Sequence, residues 1–309
     1  MLTQQEFNQK KHIVFRKLNK IFPKINSTVM KAFECASSLQ QEYVSRCLLH
    51  EKYSLTDDIY FESYILPFMK IFSAIPDNLL VPGKKMLDVG CGEGRMLLLL
   101  KAFGVDCYGI DKETFAGRNL QGNLRGPLLK EMFEQKGVEI KTLDIERETL
   151  PYQNYYFDFI IFQEVIEHLH NSPKMMLDEI KRVLRPGGYV IVSTPNHASL
   201  GKRLNLLRGR SNHWDLKRYY NYEFVSPPNH EYIGHTREFT LRELAQMLEW
   251  AGFRIEKKET FNVYPPLKFK GLIANWVNCK GTGLGLLTSQ LLRNIYPDMD
   301  DYCLIIARS

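Results

Sequence analysis

The sequence predicts an α/β protein: a doubly wound, mostly parallel sheet with helices on both faces, preceded by a helical N-terminal cap over residues 1–81. Three observations carry this. From Lys84 onward, short apolar and β-branched runs alternate with helical stretches. The first such strand ends in the glycine-rich turn Asp88-Val89-Gly90-Cys91-Gly92-Glu93-Gly94, and a helix follows it. Before residue 82 the apolar residues recur at helical spacing instead.

In the cap, Thr3 and Glu6 make a capping-box pattern. Phe7, Val14, Phe15, Leu18, Ile21 and Phe22 follow, with Lys10, Lys11, Arg16 and Lys20 between them. Thr28–Glu51 and Asp57–Ile75 continue in the same style. The cap reads as packing on the main domain, or as a basic amphipathic surface helix touching a membrane or partner. Lys85–Val89 is the first strand. Arg95–Phe103 is a helix closed at Gly104, where a left-handed C-cap favours a residue without Cβ. Asp106–Ile110 and Val138–Leu143 are strands, and Phe157–Phe162 is a buried one. Ser172-Pro173 opens a helix running to Leu184. Gly187-Gly188 turns the chain into strand Tyr189–Ser193. Thr240, with Glu243 at the third position, caps a helix to Trp250. Phe253–Glu259 and Asp301–Ala307 close the sheet. The glycine- and arginine-broken stretch Gly117–Gly126 fits no element. Right-handed crossovers place a ligand at the carboxyl ends of the strands.

Composition narrows the class. Of 309 residues 44% are hydrophobic and 25% charged, which argues against disorder, collagen and coiled coil. The longest unbroken aliphatic run, Met96–Leu100, is far short of the roughly 20 residues of a spanning helix. No apolar h-region follows the N-terminus, so no cleaved secretory signal is expected. Six scattered cysteines (Cys35, Cys47, Cys91, Cys107, Cys279 and Cys303), with no CxxC pair, suit reduced thiols in the cytoplasm better than a disulfide framework or zinc site. A net charge of +6 permits an anionic substrate or the inner membrane face without demanding nucleic acid.

The glycine turn is not a nucleotide-phosphate loop. A dinucleotide fingerprint wants glycine where Arg95 stands, and no Gly-Lys-Ser/Thr ends the run. It suits a nucleoside without pyrophosphate. Asp111, at the end of the second strand, can accept from both ribose hydroxyls. Asp144, at the end of the third, can meet an adenine amino group.

With these residues on the page, the chain resembles the class I S-adenosylmethionine-dependent methyltransferases over about residues 82–260. The matching segments are KKMLDVGCGEG (84–94), YGID (108–111), TLDIE (142–146), FDFIIFQEVIEHL (157–169), RVLRPGGYVIVSTPN (182–196) and GHTREFTLRELAQMLEWAGF (234–253). The resemblance implies a Rossmann-like seven-stranded sheet of order 3-2-1-4-5-7-6 with the last strand antiparallel, as the domain spanning 82–309. It implies that Asp88, Gly90, Cys91 and Gly92 line the methionine part of the cofactor. Asp111 and Lys112 would lie at the ribose, Asp144 and the Ile145 backbone at the adenine, and Gln163 near the sulfonium.

Nitrogen-directed members often carry an Asn/Asp-Pro-Pro-aromatic run after the fourth strand. Here that place holds Phe162-Gln163-Glu164-Val165, and Ser226-Pro227-Pro228-Asn229 lies after the fifth strand, without the aromatic. A hydroxyl acceptor moves ahead, with carbon as the other acceptor left open. Glu164, Glu167 and His168 stand at i, i+3 and i+4, on one face if a helix begins at once. They could hold Mg2+ or another divalent cation, which would lower the pKa of a bound hydroxyl. The E-x-x-E-H pattern is similar to that of small-RNA 2′-O-methyltransferases and ubiquinone-pathway O-methyltransferases, where it carries metal, and His235 resembles the RNA family's fourth ligand. His168 as direct base, or a structural role for the trio, are the other readings.

Selectivity in this fold lives in insertions. Loop 195–236 carries Lys202, Arg203, Arg208, Arg210, His213, Lys217 and Arg218 beside Trp214, Tyr219, Tyr220 and Tyr222, suiting an anionic sugar or RNA. Insertion 262–299, with Leu267, Phe269, Leu272, Ile273, Trp276 and Val277, reads as an amphipathic hairpin on a membrane, a dimer contact or core. The sequence therefore points to a methyltransferase, cytoplasmic and either free or peripheral at the inner face of the membrane, acting on a hydroxyl of a small molecule or (lipid-linked) glycan. RNA ribose 2′-O-methylation is the alternative, ranked second because the metal-type RNA enzymes usually lack the Leu-Arg-Pro-Gly-Gly turn. A catalytically inactive fold member acting as a binding subunit is the third.

Overall fold

The computed structural model describes residues 66–112 (except 93 and 102), 133–213, 216–221, 225–226, 231–232, 234–261 and 298–309. The expected helices before residue 66, the Gly117–Gly126 stretch and nearly all of insertion 262–299 lie outside the described residues.

Helix α1 (Leu66–Ala74) and a 3-10 turn (Asp77–Leu79) lead into β1 (Lys85–Val89). Then come α2 (Arg95–Lys101), β2 (Asp106–Asp111), β3 (Glu139–Thr142) and β4 (Phe157–Gln163). A second 3-10 turn (Ile166–His168), α3 (Lys174–Val183), β5 (Leu184–Pro195), α4 (Leu200–Leu207) and α5 (Leu216–Tyr220) follow. A two-residue ribbon pairs Val225–Ser226 with Glu231–Tyr232. Helix α6 (Leu241–Trp250), β6 (Arg254–Phe261) and β7 (Tyr302–Arg308) complete the chain.

The seven strands form one sheet in the order β3-β2-β1-β4-β5-β7-β6. Strands β1 to β5 are parallel, and β7 runs antiparallel to both β5 and β6. The resemblance-based order is thus observed. In β4 alternate residues serve opposite faces: Phe159 and Ile161 join the core with α1 and α2, while Ile160 and Phe162 join the one with α3 and α6. Ile71, Phe72, Ile75 and Leu79 sit in that first core with Leu97 and Leu100, so the described end of the cap packs on the sheet.

Two boundaries differ from the sequence reading for identifiable reasons. Strand β5 begins at Leu184 instead of Tyr189, because Leu184 pairs with Phe157 before the Arg185–Gly188 turn bulges out and Tyr189 resumes opposite Phe159. No helix begins at Glu164. Its backbone is left-handed (φ 52°), and only a 3-10 turn follows. Among the described residues no helix is long and apolar enough to cross a membrane.

The capping box on α6 is formed. The Glu243 N–H donates to Thr240 Oγ1 (3.2 Å) and the Thr240 N–H donates to Glu243 Oε2 (2.9 Å). Thr240→Ala is expected to cost about 1 kcal/mol of unfolding free energy in urea titrations, with an unchanged m-value.

Candidate active site

The carboxyl ends of β1, β2, β4 and β5 converge on one edge, and the sequence loads that edge with polar residues. The glycine loop leaves β1 after Asp88 and is pinned to the end of β2. The N–H groups of Gly90 and Cys91 both donate to the Ile110 carbonyl (2.7 and 3.0 Å), and the Gly92 N–H donates to Asp111 Oδ2 (2.7 Å). Gly90 has φ 76°, and a Cβ there would lie 2.3 Å from Val165 Cγ2. Gly92 (φ 52°) faces open space. Cys91 buries its side chain in the first core. Its carbonyl accepts from the Gly94 N–H at 2.9 Å.

Asp88 is buried at the end of β1. Burial first, and then the charge of Asp111, push its carboxyl up to about 7. Asp144 lies just beyond β3 with Lys112 Nζ at 3.6 Å and Arg147 at 3.8 Å from its Oδ2. Its Oδ1 accepts from the Glu146 N–H (3.1 Å), so both oxygens are engaged. Ile145 buries its side chain in the second core. Gln163, the last residue of β4, stands opposite Ser193 and is partly buried.

The acidic pair after β4 is held by the end of β5. Ser193 Oγ donates to Glu164 Oε1 (3.0 Å) and Thr194 Oγ1 donates to Glu167 Oε2 (2.9 Å). The Glu167 carbonyl accepts from the N–H groups of Thr236 (2.7 Å) and Arg237 (3.2 Å), which draws the segment with His235 onto the turn. His168 Nδ1 lies 3.2 Å from the Gly234 carbonyl. A carbonyl only accepts, so that nitrogen carries the proton and Nε2 is the basic atom. The His168 and His235 rings meet edge to face at 4.8 Å.

One ligand atom each from Glu167, His168 and His235 lies within 4.8 Å of the others. Glu164, expected in the same set, is not among them; its left-handed backbone and the Ser193 bond direct it elsewhere. Glu167 is fully buried and its Oε1 has no hydrogen-bond partner. Burial pushes the Glu167 carboxyl up to about 7, partly offset by its backbone hydrogen bond and His235. Burial and then Glu167 push Glu164 well above the carboxylate range.

Sequence reasoning missed Ser193 and Thr194, the holders of the two acids, and Glu238. Glu238 Oε1 lies 3.0 Å from His235 Nδ1, and Lys202 of α4 pairs with its other oxygen. Burial alone would raise Glu238, but the hydrogen bonds to His235 and Lys202 hold it below the usual range. The i, i+3 spacing of His235 and Glu238 was the available signal.

A methyltransferase-domain family profile matches residues 64–258, most of the chain. The chain belongs to the methyltransferase-domain family. The methyltransferase domain is 28% identical to the mitochondrial ubiquinone biosynthesis O-methyltransferase of Dictyostelium discoideum, over 54% of this chain and 54% of that one. It is 30% identical to a probable S-adenosylmethionine-dependent methyltransferase of Mycolicibacterium smegmatis, over 59% of this chain and 56% of that one. The chain thus spans about half the length of these curated relatives. A solved S-adenosylmethionine-dependent methyltransferase from Mesorhizobium loti superposes with a TM-score of 0.49 at 16% identity, covering 80% of this chain and 100% of that one.

The contrast between the two glycines is testable. Gly90→Ala combines a left-handed backbone with a clash and is expected to cost about 2–4 kcal/mol. Gly92→Ala carries only the backbone penalty, about 1–2 kcal/mol. Urea unfolding of both variants checks the order.

Proposed function

We propose that this protein transfers the methyl group of S-adenosylmethionine to a hydroxyl oxygen of a small molecule or glycan. The observation that carries this reading is the cluster of Glu167, His168 and His235 at the strand ends, a set suited to removing a hydroxyl proton. The place that nitrogen-directed members fill with an Asn/Asp-Pro-Pro-aromatic run holds Phe162-Gln163-Glu164-Val165. The relative from Dictyostelium is itself named an O-methyltransferase.

The residues present fit the cofactor. Asp88 and Asp111 end neighbouring strands, and the rise of Asp88 under burial and the Asp111 charge marks a shortage of compensating positive charge there. A ligand bearing a sulfonium and an α-ammonium answers that shortage, and the open side of Gly92 gives it room. Asp111 and Lys112 would flank the ribose, Asp144 and the Ile145 backbone the adenine, and Gln163 the reacting end. Bound there, S-adenosylmethionine supplies an electrophilic methyl group that needs only an aligned nucleophile. Asp111 fixes the glycine loop through Gly92. His168, protonated on Nδ1 by its bond to Gly234, offers Nε2 to take the acceptor's proton.

A second reading of the same cluster is favoured by the unpartnered Glu167 Oε1. A divalent cation held by Glu167, His168 and His235 would satisfy that oxygen and make a hydroxyl more acidic. Two imidazoles and one carboxylate suit a borderline ion such as Zn2+ or Mn2+ better than Mg2+. For the acceptor, α4 and α5 expose Leu206, Leu207, Leu216, Tyr219 and Tyr220 beside Arg208, Arg210 and Lys217. That mixture suits an acceptor with an apolar and an anionic part, such as a lipid-linked one met at the cytoplasmic membrane face.

The test is transfer from methyl-labelled cofactor to hydroxyl-bearing small molecules, glycolipids and RNA, each with and without chelator. Label in the first two supports the proposal. Label confined to RNA overturns it, and failure to bind S-adenosylhomocysteine in calorimetry restores the inactive-member reading. Loss of transfer with chelator assigns the cation; retention, with loss in His168→Ala, assigns the imidazole.

The Asp88 shift gives a pH dependence with a definite sign. Its carboxyl is protonated below about pH 7 without ligand, and a cationic ligand favours the ionised form. Binding therefore expels a proton below that pH. The affinity for S-adenosylhomocysteine, which keeps the α-ammonium, is expected to fall by up to about tenfold per unit as pH drops through that value. Asp88→Asn should flatten the slope in calorimetry.

A further inference from the structure

We propose that Glu238 is a positioning residue of this site: it holds the His235 imidazole with the proton on Nδ1 and the lone pair on Nε2, and Lys202 of the 195–236 insertion locks that carboxylate in place. The inference rests on the site proposed above and deepens it.

Glu238 stands where three segments meet. His235 is three residues before it, Lys202 comes from α4, and His197 from the turn after β5 lies 3.8 Å from Oε2. Its side chain is only 15% exposed, so water does not compete freely for it. The two oxygens are divided: Oε1 meets His235 Nδ1 at 3.0 Å and Oε2 meets Lys202 Nζ. Paired with Lys202 and held below the usual carboxylate range, Glu238 is ionised and can only accept, which puts the proton on His235 Nδ1. An imidazole alone in water prefers the other tautomer, with the proton on Nε2. The Glu238 contact favours the reverse. A histidine whose Nδ1–H is held by a carboxylate has a fixed tautomer and a fixed ring plane, as metal-binding and proton-accepting histidines require. His168 reaches the same tautomer through the Gly234 carbonyl, so the two rings meeting edge to face are matched.

Lys202 matters because of acceptor counting. Glutamine at 238 has one acceptor oxygen for two donors, so it must turn an amide N–H toward either His235 or Lys202. Lys202 also links the site to α4, a helix of the insertion where selectivity is expected.

The experiment uses the full chain, labelled with 15N-histidine and dialysed against chelator. Long-range proton–nitrogen correlation reads the tautomer of His235, whose signals are assigned by their loss in His235→Gln. The wild type is expected to show Nδ1–H. Glu238→Gln should shift His235 toward Nε2–H and lower kcat by about 10–100-fold, with a smaller change in the acceptor KM. In the double variant Glu238→Gln/Lys202→Leu, the single amide oxygen is released to His235, and Nδ1–H and part of kcat should return. Retention of Nδ1–H in Glu238→Gln, or failure of the double variant to restore it while melting like the wild type, overturns the proposal. If Glu238→Gln does not fold, Glu238→Ala, which removes the acceptor altogether, takes its place: His235 is again expected to move toward Nε2–H, and retained Nδ1–H overturns the proposal. Absence of hydroxyl methylation by the wild type defeats the functional reading alone, because the tautomer measurement does not depend on turnover.

Discussion

Glu167 is the residue on which the site's assembly depends, because it ties three separate segments together from inside the protein. Its carbonyl takes the N–H groups of Thr236 and Arg237, and its Oε2 takes the Thr194 hydroxyl. The first contact brings the loop with His235 against the turn after β4; the second fixes that turn to the end of β5. A carboxylate in such a place is expensive to ionise, as its rise to about 7 shows, and its Oε1 is left without a partner. A position serving only to join segments would be served as well by a neutral amide. The buried carboxyl beside two imidazoles is the feature on which the proposed proton- or cation-handling role rests.

The sheet makes this possible. Parallel strands need crossovers, so the carboxyl ends of β1, β2, β4 and β5 all fall on one edge, and the turns there are free of ladder constraints. The cofactor half and the chemical half of the proposed site share that edge. Asp88 and Gln163 sit near the ends of adjacent strands, and the residues that follow them, Gly90 and Val165, approach as closely as only glycine permits. The close fit of Val165 against Gly90 couples the glycine loop to the segment that carries Glu164, Glu167 and His168.

Polar residues supporting the site come from neighbouring segments more often than from its own. Ser193 and Thr194 hold the acids, Gly234 holds His168, and Glu238 with Lys202 holds His235. Each uses one hydrogen-bonding atom to fix the orientation of another group, which is how a site gains definition without adding reactive residues.

The sequence by itself determined the strand–helix alternation, the glycine turn at Asp88–Gly94, the α6 capping box and, through motif resemblance, the strand order. These are local patterns, or patterns of motifs in order, and they survive without knowledge of contacts. The tertiary structure decided the rest of the site. Spacing alone put Glu164 with Glu167 and His168 on a helix face, but β5 lies close enough for Ser193 to take Glu164, and the backbone there turns left-handed. It took a contact between residues 69 positions apart in the chain, Thr236 on the Glu167 carbonyl, to bring His235 beside His168. It took the packing of α4 to give Glu238 its lysine. Hydrogen bonds between distant segments leave no periodicity in a sequence, because the partner is chosen by the path of the sheet and not by spacing along the chain.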